Sequence, residues 1–203
     1  MKTQILTIFT ALVLSTGIAK TTYAAAPAKS QTFTVLTDIS AINAIEIHGN
    51  VELYISDGET DQVKVYNKYY AESALVQSKS GVLRISSYKA EKLVVWVTAK
   101  DLHSVSAYDN ATVKSFGNIS KIDFSVSLYN NASAKLNLDV FNADVTVNDH
   151  ATASLSGNAA EYNLKYNHTE NINQTDFVAQ HTSKSQTTLP LVKRDPLDDL
   201  AGL

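Results

Sequence analysis

Acidic and imidazole side chains recur within a seven-residue phrase that the chain repeats. The phrase reads Ala-Tyr-Asp-Asn-Ala-Thr-Val at 107–113. It returns in altered form as Leu-Tyr-Asn-Asn-Ala-Ser-Ala at 128–134 and as Val-Asn-Asp-His-Ala-Thr-Ala at 147–153. A weaker fourth copy leads into Asn167-His168-Thr169. Asp109 and Asp149 thus occupy the same position in the first and third copies. His150 and His168 occupy the next position in the third and fourth copies. Carboxylates and imidazoles aligned in this way can bind a metal ion or act on a glycosidic bond.

A metal site would use His150 and His168 together with Asp149. If the copies stack as neighbouring strands, the two imidazoles lie one strand spacing apart, about 4.8 Å. No third protein ligand is indicated at this spacing, and two histidines make a weak site. We therefore predict no metal site and no bound cofactor.

Carbohydrate cleavage would use Asp109 and Asp149. Two strand spacings separate them by about 9.6 Å, near the upper end of the separation found in inverting glycosidases. The position between them is Asn130, and no Arg or Lys lies in the phrase to bind a uronate. We predict no catalytic residues and keep the carbohydrate-active enzyme as the alternative.

A structural interpretation explains the same residues as a ladder of turns. Asn and Asp accept left-handed backbone geometry and bond their own backbone. The stacked copies predict one column of Asp109, Asn130, Asp149 and Asn167. They predict a second column beside it, of Asn110, Asn131, His150 and His168.

Tyrosines beside the phrase occupy the polar phase of their strands and are expected to point outward. Outward rings suit contact with a sugar or a protein. Alternatively, Tyr108 and Tyr129 form an ordinary cross-strand pair. The predicted binding face consists of Tyr108, Tyr129, Asp149, His150 and His168.

The elements that must position these residues are short stacked strands. Asn110, Asn131 and His150 follow one another at a spacing of about 20 residues with strand-type alternation, which indicates a solenoid with rungs of that length. The pattern of 42–58 returns from residue 102 onward, so that Ile45 matches Val105 and Leu53 matches Val113. Alanines at 111, 132 and 151 are expected to fill a narrow corner.

Outside the repeats, charge and composition suggest an exported chain. Lys2, an apolar run and Ala24 predict a signal peptide over residues 1–24. Cysteine is absent, and the remaining chain carries 15 basic and 20 acidic residues, a net charge of −5. That charge disfavours nucleic acid and an anionic membrane surface as partners. We predict an arm and first strand over 25–37, the solenoid over 38–178 and a polar, disordered tail over 179–203.

These motifs resemble a known family. The strand pair with Gly49-Asn50-Val51, the Gly81-x-Leu83-x-Ile85 strand and the Asp109-Asn110-Ala111 and Asn130-Asn131-Ala132 rungs are similar to the head GIN domain of autotransporter adhesins, a domain of unknown function frequent in Bacteroidetes. The resemblance covers about residues 38–170. It implies an all-β fold like a right-handed β-helix, and no catalytic residues to carry over.

We therefore predict an exported, non-enzymatic adhesin that contacts a glycan, protein or matrix component in the periplasm, at the outer-membrane surface or outside the cell. It would not span a membrane once the signal is removed. A periplasmic structural or stress-response protein is a further alternative.

Overall fold

A computed structural model describes residues 33–36, 39, 41–66, 75–168 and 171–187, all within one compact unit. The predicted signal peptide and the segment from 188 onward lie outside the described residues. Strands account for most of what is described, and no α-helix occurs within it. The strands are β1 (Thr34–Leu36), β2 (Ala44–Gly49), β3 (Val51–Asp57), β4 (Gln62–Tyr66), β5 (Leu75–Lys79), β6 (Val82–Ser87), β7 (Leu93–Ala99), β8 (Ser104–Ala107), β9 (Thr112–Ser115), β10 (Ile119–Leu128), β11 (Ser133–Val147), β12 (Thr152–Tyr166) and β13 (Ile172–Gln186).

Parallel pairing arranges these strands in two stacks. The first stack runs β6, β2, β8, β10 and then the second halves of β11, β12 and β13. The second stack runs β7, β3, β9 and then the first halves of β11, β12 and β13. The chain therefore alternates between the stacks. A strand of the first stack, such as β2, is followed after a turn by a strand of the second stack, such as β3.

The long-range echo in the sequence is a direct strand pairing. Ile45 pairs with Val105 and Leu53 with Val113, each in parallel register. The closely spaced copies of the phrase are also paired, because Ser133 faces both Thr112 and Thr152. Both sequence predictions are confirmed.

Chain order and spatial order differ at one end of the stacks. The strands β6 and β7 follow β2 and β3 in the chain but lie outside them. Antiparallel strands then cover this outer pair: β5 pairs with β6, β4 with β7, and β1 with β4. A tight turn at Ser80-Gly81, both with positive φ, joins β5 to β6.

The core lies between the two stacks and follows from the alternation of each strand. In β2, β3 and β7 every second side chain is buried, as period-two patterning requires. Although the run Leu93–Val97 is wholly apolar, it is buried on one face only, because Val94 and Trp96 lie on the partly exposed face of the strand. Ala111, Ala132 and Ala151 are fully buried, as the corner interpretation required.

The last strand extends further than the predicted boundary. Residues 179–186 belong to β13 and pair with β12 as far as Gln186, past the expected end of the solenoid at 178. An irregularity opposite Ser154–Ser156 shifts the register of this pairing by one position. Most side chains of β13 are exposed, so their polar composition reflects an outer strand and not a tail.

Candidate functional site

Three equivalent turns form the corner between the two stacks. Asp109, Asn130 and Asp149 have φ angles of 60°, 59° and 57°. In each turn the alanine N–H donates to the carbonyl oxygen three residues earlier, at 3.1–3.2 Å. Left-handed φ is costly for most side chains but accessible to Asn and Asp. This confirms the predicted reason for Asp and Asn at these positions.

The carboxylates of these turns bind the neighbouring turns. The Gly49 N–H donates to Asp109 Oδ2 at 3.0 Å, and the Asn130 N–H donates to Asp149 Oδ2 at 2.9 Å. Asn130 Nδ2 also donates to Asp109 Oδ1 at 3.2 Å. Gly49 occupies the Asp109 position of the first turn, where a Cβ would overlap the carbonyl oxygen of Ser87. The Asp side chains thus act as structural hydrogen-bond acceptors between rungs.

The fourth copy is shifted by one residue from its predicted place. Tyr166 pairs with Val147, and the Asn167 N–H donates to Val147 O as the Asn148 N–H donates to Leu128 O. Asn167 therefore continues the Asn148 position, and His168 continues the Asp149 position. The predicted columns ending in Asn167 and His168 are wrong at that point, because the turn begins one residue later than the sequence match suggested.

The shift separates the two histidines considered for a metal site. His150 belongs to the column of Asn110 and Asn131, whereas His168 continues the column of Asp109 and Asp149. Within the described ranges, no group of three or more His, Cys, Asp or Glu side chains is arranged to bind a metal ion.

Three aromatic rings stack beside the corner on the first stack. His48 and Tyr108 have ring centroids 4.5 Å apart, and Tyr108 and Tyr129 4.9 Å, with interplanar angles of 5° and 6°. The predicted Tyr108–Tyr129 cross-strand pair is thus confirmed. Burial raises the pKa of the Tyr108 hydroxyl. Because His48 and Tyr129 stack on its two faces, the Tyr108 ring leaves only its edge uncovered, and its hydroxyl is hydrogen-bonded with Ser106.

An ion-pair cluster fixes the end of this stack. His48 Nε2 lies 2.8 Å from Glu46 Oε1, and Arg84 Nε donates to Glu46 Oε2 at 3.1 Å. The hydrogen bond from His48 and the charge of Arg84 lower the pKa of Glu46 despite its partial burial.

A cleft of about 800 Å³ lies at the same corner. Its lining includes Asp109 and Asn110, the exposed ring of Tyr88 and the side chain of Lys89. Asn50 Nδ2 holds the opposite wall by donating to the carbonyls of Lys89 and Ala90 at 3.2 and 2.9 Å. The sequence had indicated no basic residue in the corner. Lys89 lies at the corner because it follows β6 in the chain and β6 pairs with β2, which ends at the same corner.

A second aromatic surface lies on the second stack, where sequence reasoning had placed no site. Neighbouring strands carry Lys64, Trp96, Tyr54, Lys114 and Lys135 directly side by side, and we call this row the basic–aromatic strip. Tyr54 and Trp96 stack at 4.7 Å. Part of the basic–aromatic strip could have been found in the sequence, since Lys114 and Lys135 occupy matching positions of successive copies of the repeat.

Glu52 anchors the middle of the strip. Lys114 Nζ donates to Glu52 Oε1 at 2.5 Å, and the Tyr54 hydroxyl donates to the same oxygen at 2.9 Å. The hydrogen bond from Lys114 lowers the pKa of Glu52, and that bond raises the pKa of Lys114. Lys114 also lies 5.4 Å from the centre of the Tyr54 ring, within cation–π range.

A smaller cleft of about 360 Å³ adjoins the strip. Tyr54 and the exposed ring of Phe116 form one side, Lys114 and Lys135 border it, and Asn137 lies among its polar lining residues. Phe116 also packs against Trp96 at 5.2 Å.

Comparison with known proteins identifies relatives by sequence family and by fold. A family model described as "Putative auto-transporter adhesin, head GIN domain" matches residues 41–188. No curated protein matches the sequence. Nowhere in the part of the chain that the structure describes is there a helix of the length and apolarity that a membrane span requires.

Several solved structures share the fold. A putative adhesin from Bacteroides fragilis is 15% identical with a TM-score of 0.68, covering 78% of each chain. A putative adhesin from Parabacteroides merdae is 16% identical with a TM-score of 0.60, covering 76% of this chain and 77% of its own. A putative lipid binding protein from Parabacteroides distasonis is 9% identical with a TM-score of 0.52, covering 76% of this chain and 78% of its own. At these identities the likeness concerns the fold alone.

Proposed function

Because the chain belongs to the head GIN domain family of auto-transporter adhesins, we propose that it is an exported, non-enzymatic adhesin that binds a glycan, protein or matrix component. Its signal peptide would be residues 1–24, and its place the periplasm, the outer-membrane surface or the medium. Fractionation of cells expressing the full chain tests this address. Recovery in the cytoplasm with residues 1–24 still attached contradicts it.

We further propose that the two stacks wind as a right-handed β-helix-like solenoid. Support comes from the parallel pairing of each rung with the next from β8 to β13. Crossover connections between parallel strands are right-handed in nearly all known cases. Such a coil presents long, straight rows of side chains, which suit an extended ligand.

The proposed binding site is the corner face, which consists of Tyr108, Tyr129, Asp149, His150 and His168. The observation that carries the binding proposal is the set of contacts that order the side chains of Tyr108, Tyr129 and Asp149. Ring stacking holds the two tyrosines, and the Asn130 N–H holds the carboxylate of Asp149. A face already ordered in the free protein loses little conformational entropy on binding. The adjoining 800 Å³ cleft gives a ligand room to enter beside it.

The stacking of the rings also determines which atoms of the corner face a ligand could contact. Because His48 and Tyr129 cover the faces of Tyr108, a ligand would reach Tyr108 at its ring edge and Tyr129 at its ring edge and hydroxyl. The double variant Tyr108→Phe/Tyr129→Phe keeps the stack and removes only the hydroxyls, whereas Tyr108→Ala/Tyr129→Ala removes both. Phe141→Ala is a matched control, since Phe141 is exposed and lies on β11 away from the corner.

A glycan array together with a panel of matrix proteins tests the proposal on these variants. We expect the wild type and Phe141→Ala to bind the same targets, the Phe double variant to bind them more weakly and the Ala double variant to lose them. Equal binding by all four proteins, or no binding by any, contradicts the corner face. Thermal unfolding of each variant separates lost contacts from a lost fold.

The carbohydrate-active enzyme is disfavoured by the use already made of its two carboxylates. Asp109 accepts hydrogen bonds from the Gly49 N–H and from Asn130 Nδ2, and Asp149 accepts one from the Asn130 N–H. All three bonds belong to the ladder of turns. A general acid or base needs a carboxyl oxygen free to reach the substrate. Asp149 uses only Oδ2, whereas both oxygens of Asp109 are used, so Asp109 does not meet this requirement. Release of reducing ends from polysaccharides that is lost in Asp149→Asn would instead establish the enzyme.

A further inference from the structure

We propose that the basic–aromatic strip on the second stack is a binding site for an anionic saccharide, separate from the corner face. The strip and its adjoining cleft combine flat aromatic rings, positive charge and small polar groups. The inference rests on the proposed function only in taking the chain to be a binding protein.

The alignment of charge in the strip is the first argument. Lys114 and Lys135 lie directly opposite each other on neighbouring strands. Like charges in this relation destabilise a sheet. Glu52 compensates Lys114, but Lys135 forms no ion pair with any residue that the structure describes. The positive charge of Lys135 therefore does not stabilise the fold, but it would attract an anionic ligand.

The rings of the strip are the second argument. Phe116 is 64% exposed and packs beside Trp96, which is itself partly buried and stacks on Tyr54. Exposed aromatic surface of this kind, bordered by polar groups, marks a contact site. The apolar C–H face of a sugar ring packs on such a surface while its hydroxyls point to the polar border. Asn137 lines the cleft and offers its side-chain Nδ2 to a ligand. The hydroxyls of Ser115 and Ser156 already bond within the protein, since Ser115 Oγ accepts the Asn137 N–H and Ser156 Oγ donates to Leu136 O.

Geometry favours a chain of sugars over a single one. Neighbouring strands are spaced about 4.8 Å apart, so the row from Lys64 to Lys135 extends over roughly 19 Å across the strands. The rings occupy the middle of this row and the lysines occupy both ends. A linear polysaccharide with a carboxylate or sulfate on successive residues matches that order of groups.

Affinity measurements on the full secreted chain test the site. The probes are polygalacturonate, which is carboxylated, dextran sulfate, which is sulfated, neutral dextran, and phosphatidylglycerol vesicles. We expect at least one anionic polysaccharide to bind more tightly than dextran and to weaken with added salt. The preferred one of the two identifies the anionic group.

Exposed variants assign the binding to the strip. Lys135→Gln should weaken binding of the anionic polysaccharide by roughly tenfold, the loss of one charge-assisted hydrogen bond, and Lys135→Arg should restore most of it. Phe116→Ala should weaken it as well. Lys165→Gln, an exposed lysine on the first stack, is the charge-matched control and should bind as the wild type does.

Other outcomes overturn the proposal. These are equal affinity for dextran and both anionic polysaccharides, equal effects of Lys135→Gln and Lys165→Gln, or binding to vesicles but to neither polysaccharide. The corner variants keep the two proposals distinguishable. Loss of anionic polysaccharide binding in Tyr108→Phe/Tyr129→Phe but not in Lys135→Gln would place the ligand at the corner and refute the strip.

Discussion

Replacement of Gly157 by alanine tests the close approach of neighbouring rungs. Gly157 lies inside β12, paired with Leu138 of β11, and has a φ of +98°. A Cβ at this position would overlap the carbonyl oxygen of Leu138 and lie 2.9 Å from Asn137 Oδ1. Because the nearest atom belongs to the backbone of a paired strand, the clash can be relieved only by moving one rung away from the other.

The magnitude follows from two separable costs. Positive φ costs a residue with a Cβ about 1–2 kcal/mol, and overpacking adds about 1–3 kcal/mol. Gly157→Ala should therefore lower the free energy of unfolding by about 2–5 kcal/mol. Gly117→Ala is the matched control, since Gly117 has a φ of +82° but no atom within 4 Å of its Cβ position. It should lose only about 1–2 kcal/mol.

Urea unfolding followed by circular dichroism measures both variants. Alanine also reduces the conformational entropy of the unfolded chain, but this gain is common to both sites and cancels in their difference. The excess loss at Gly157 over Gly117, about 1–3 kcal/mol, is the cost of steric overlap between rungs. Equal losses in the two variants would refute the contact between Gly157 and Leu138.

Three further predictions concern the corner and the ion pairs of Glu46. Ala132→Leu should cost about 1–3 kcal/mol because Ala132 is fully buried, whereas Asn131→Leu, exposed beside it, should change stability by about 0.5 kcal/mol at most; equal urea midpoints would contradict the packed corner. Asp149→Asn should unfold like the wild type, since Asn accepts the 57° φ and can accept the Asn130 N–H. Asp149→Val should lose about 2–3 kcal/mol, and equal midpoints for the two would contradict the ladder. The lowered pKa of Glu46 gives stability that is complete above the ordinary glutamate value and lost as pH falls through the folded-state value. Glu46→Gln should flatten that acid dependence, and parallel pH profiles would contradict it.

Much of the fold could be predicted from local patterns. Alternation indicates which face of a strand is buried, and the fixed offset between the two echoing segments identifies pairs such as Ile45 and Val105. The turn chemistry of Asp109 and Asn130 was also readable, since few residue types accept their φ angles. These features depend on neighbours in sequence or on a constant period, and both are visible without coordinates.

The features that escaped prediction depend on spatial order. Nothing in the sequence indicates that β6 and β7 lie outside β2 and β3. The strand β2 pairs in parallel with β6 on one side and with β8 on the other, so its alternation pattern does not show which neighbour lies on which side. That order is what brings Lys89 to the corner cleft and Trp96 beside Tyr54. The basic–aromatic strip therefore emerges only when strands distant in the chain are placed side by side.

The side chains that stabilise the stacked strands differ from those proposed to bind a ligand. Both oxygens of Asp109 accept hydrogen bonds from neighbouring turns, so a ligand competing for them would weaken the corner that presents it. Lys135 instead contributes a charge opposite a like charge, which does not stabilise the fold. Phe116 contributes a ring that is mostly exposed beside Trp96. Substitutions in the turns should therefore change unfolding before binding, and substitutions on the flanking faces should change binding before unfolding. The order of these two effects at a given position distinguishes a residue that stabilises the fold from one that would contact a ligand.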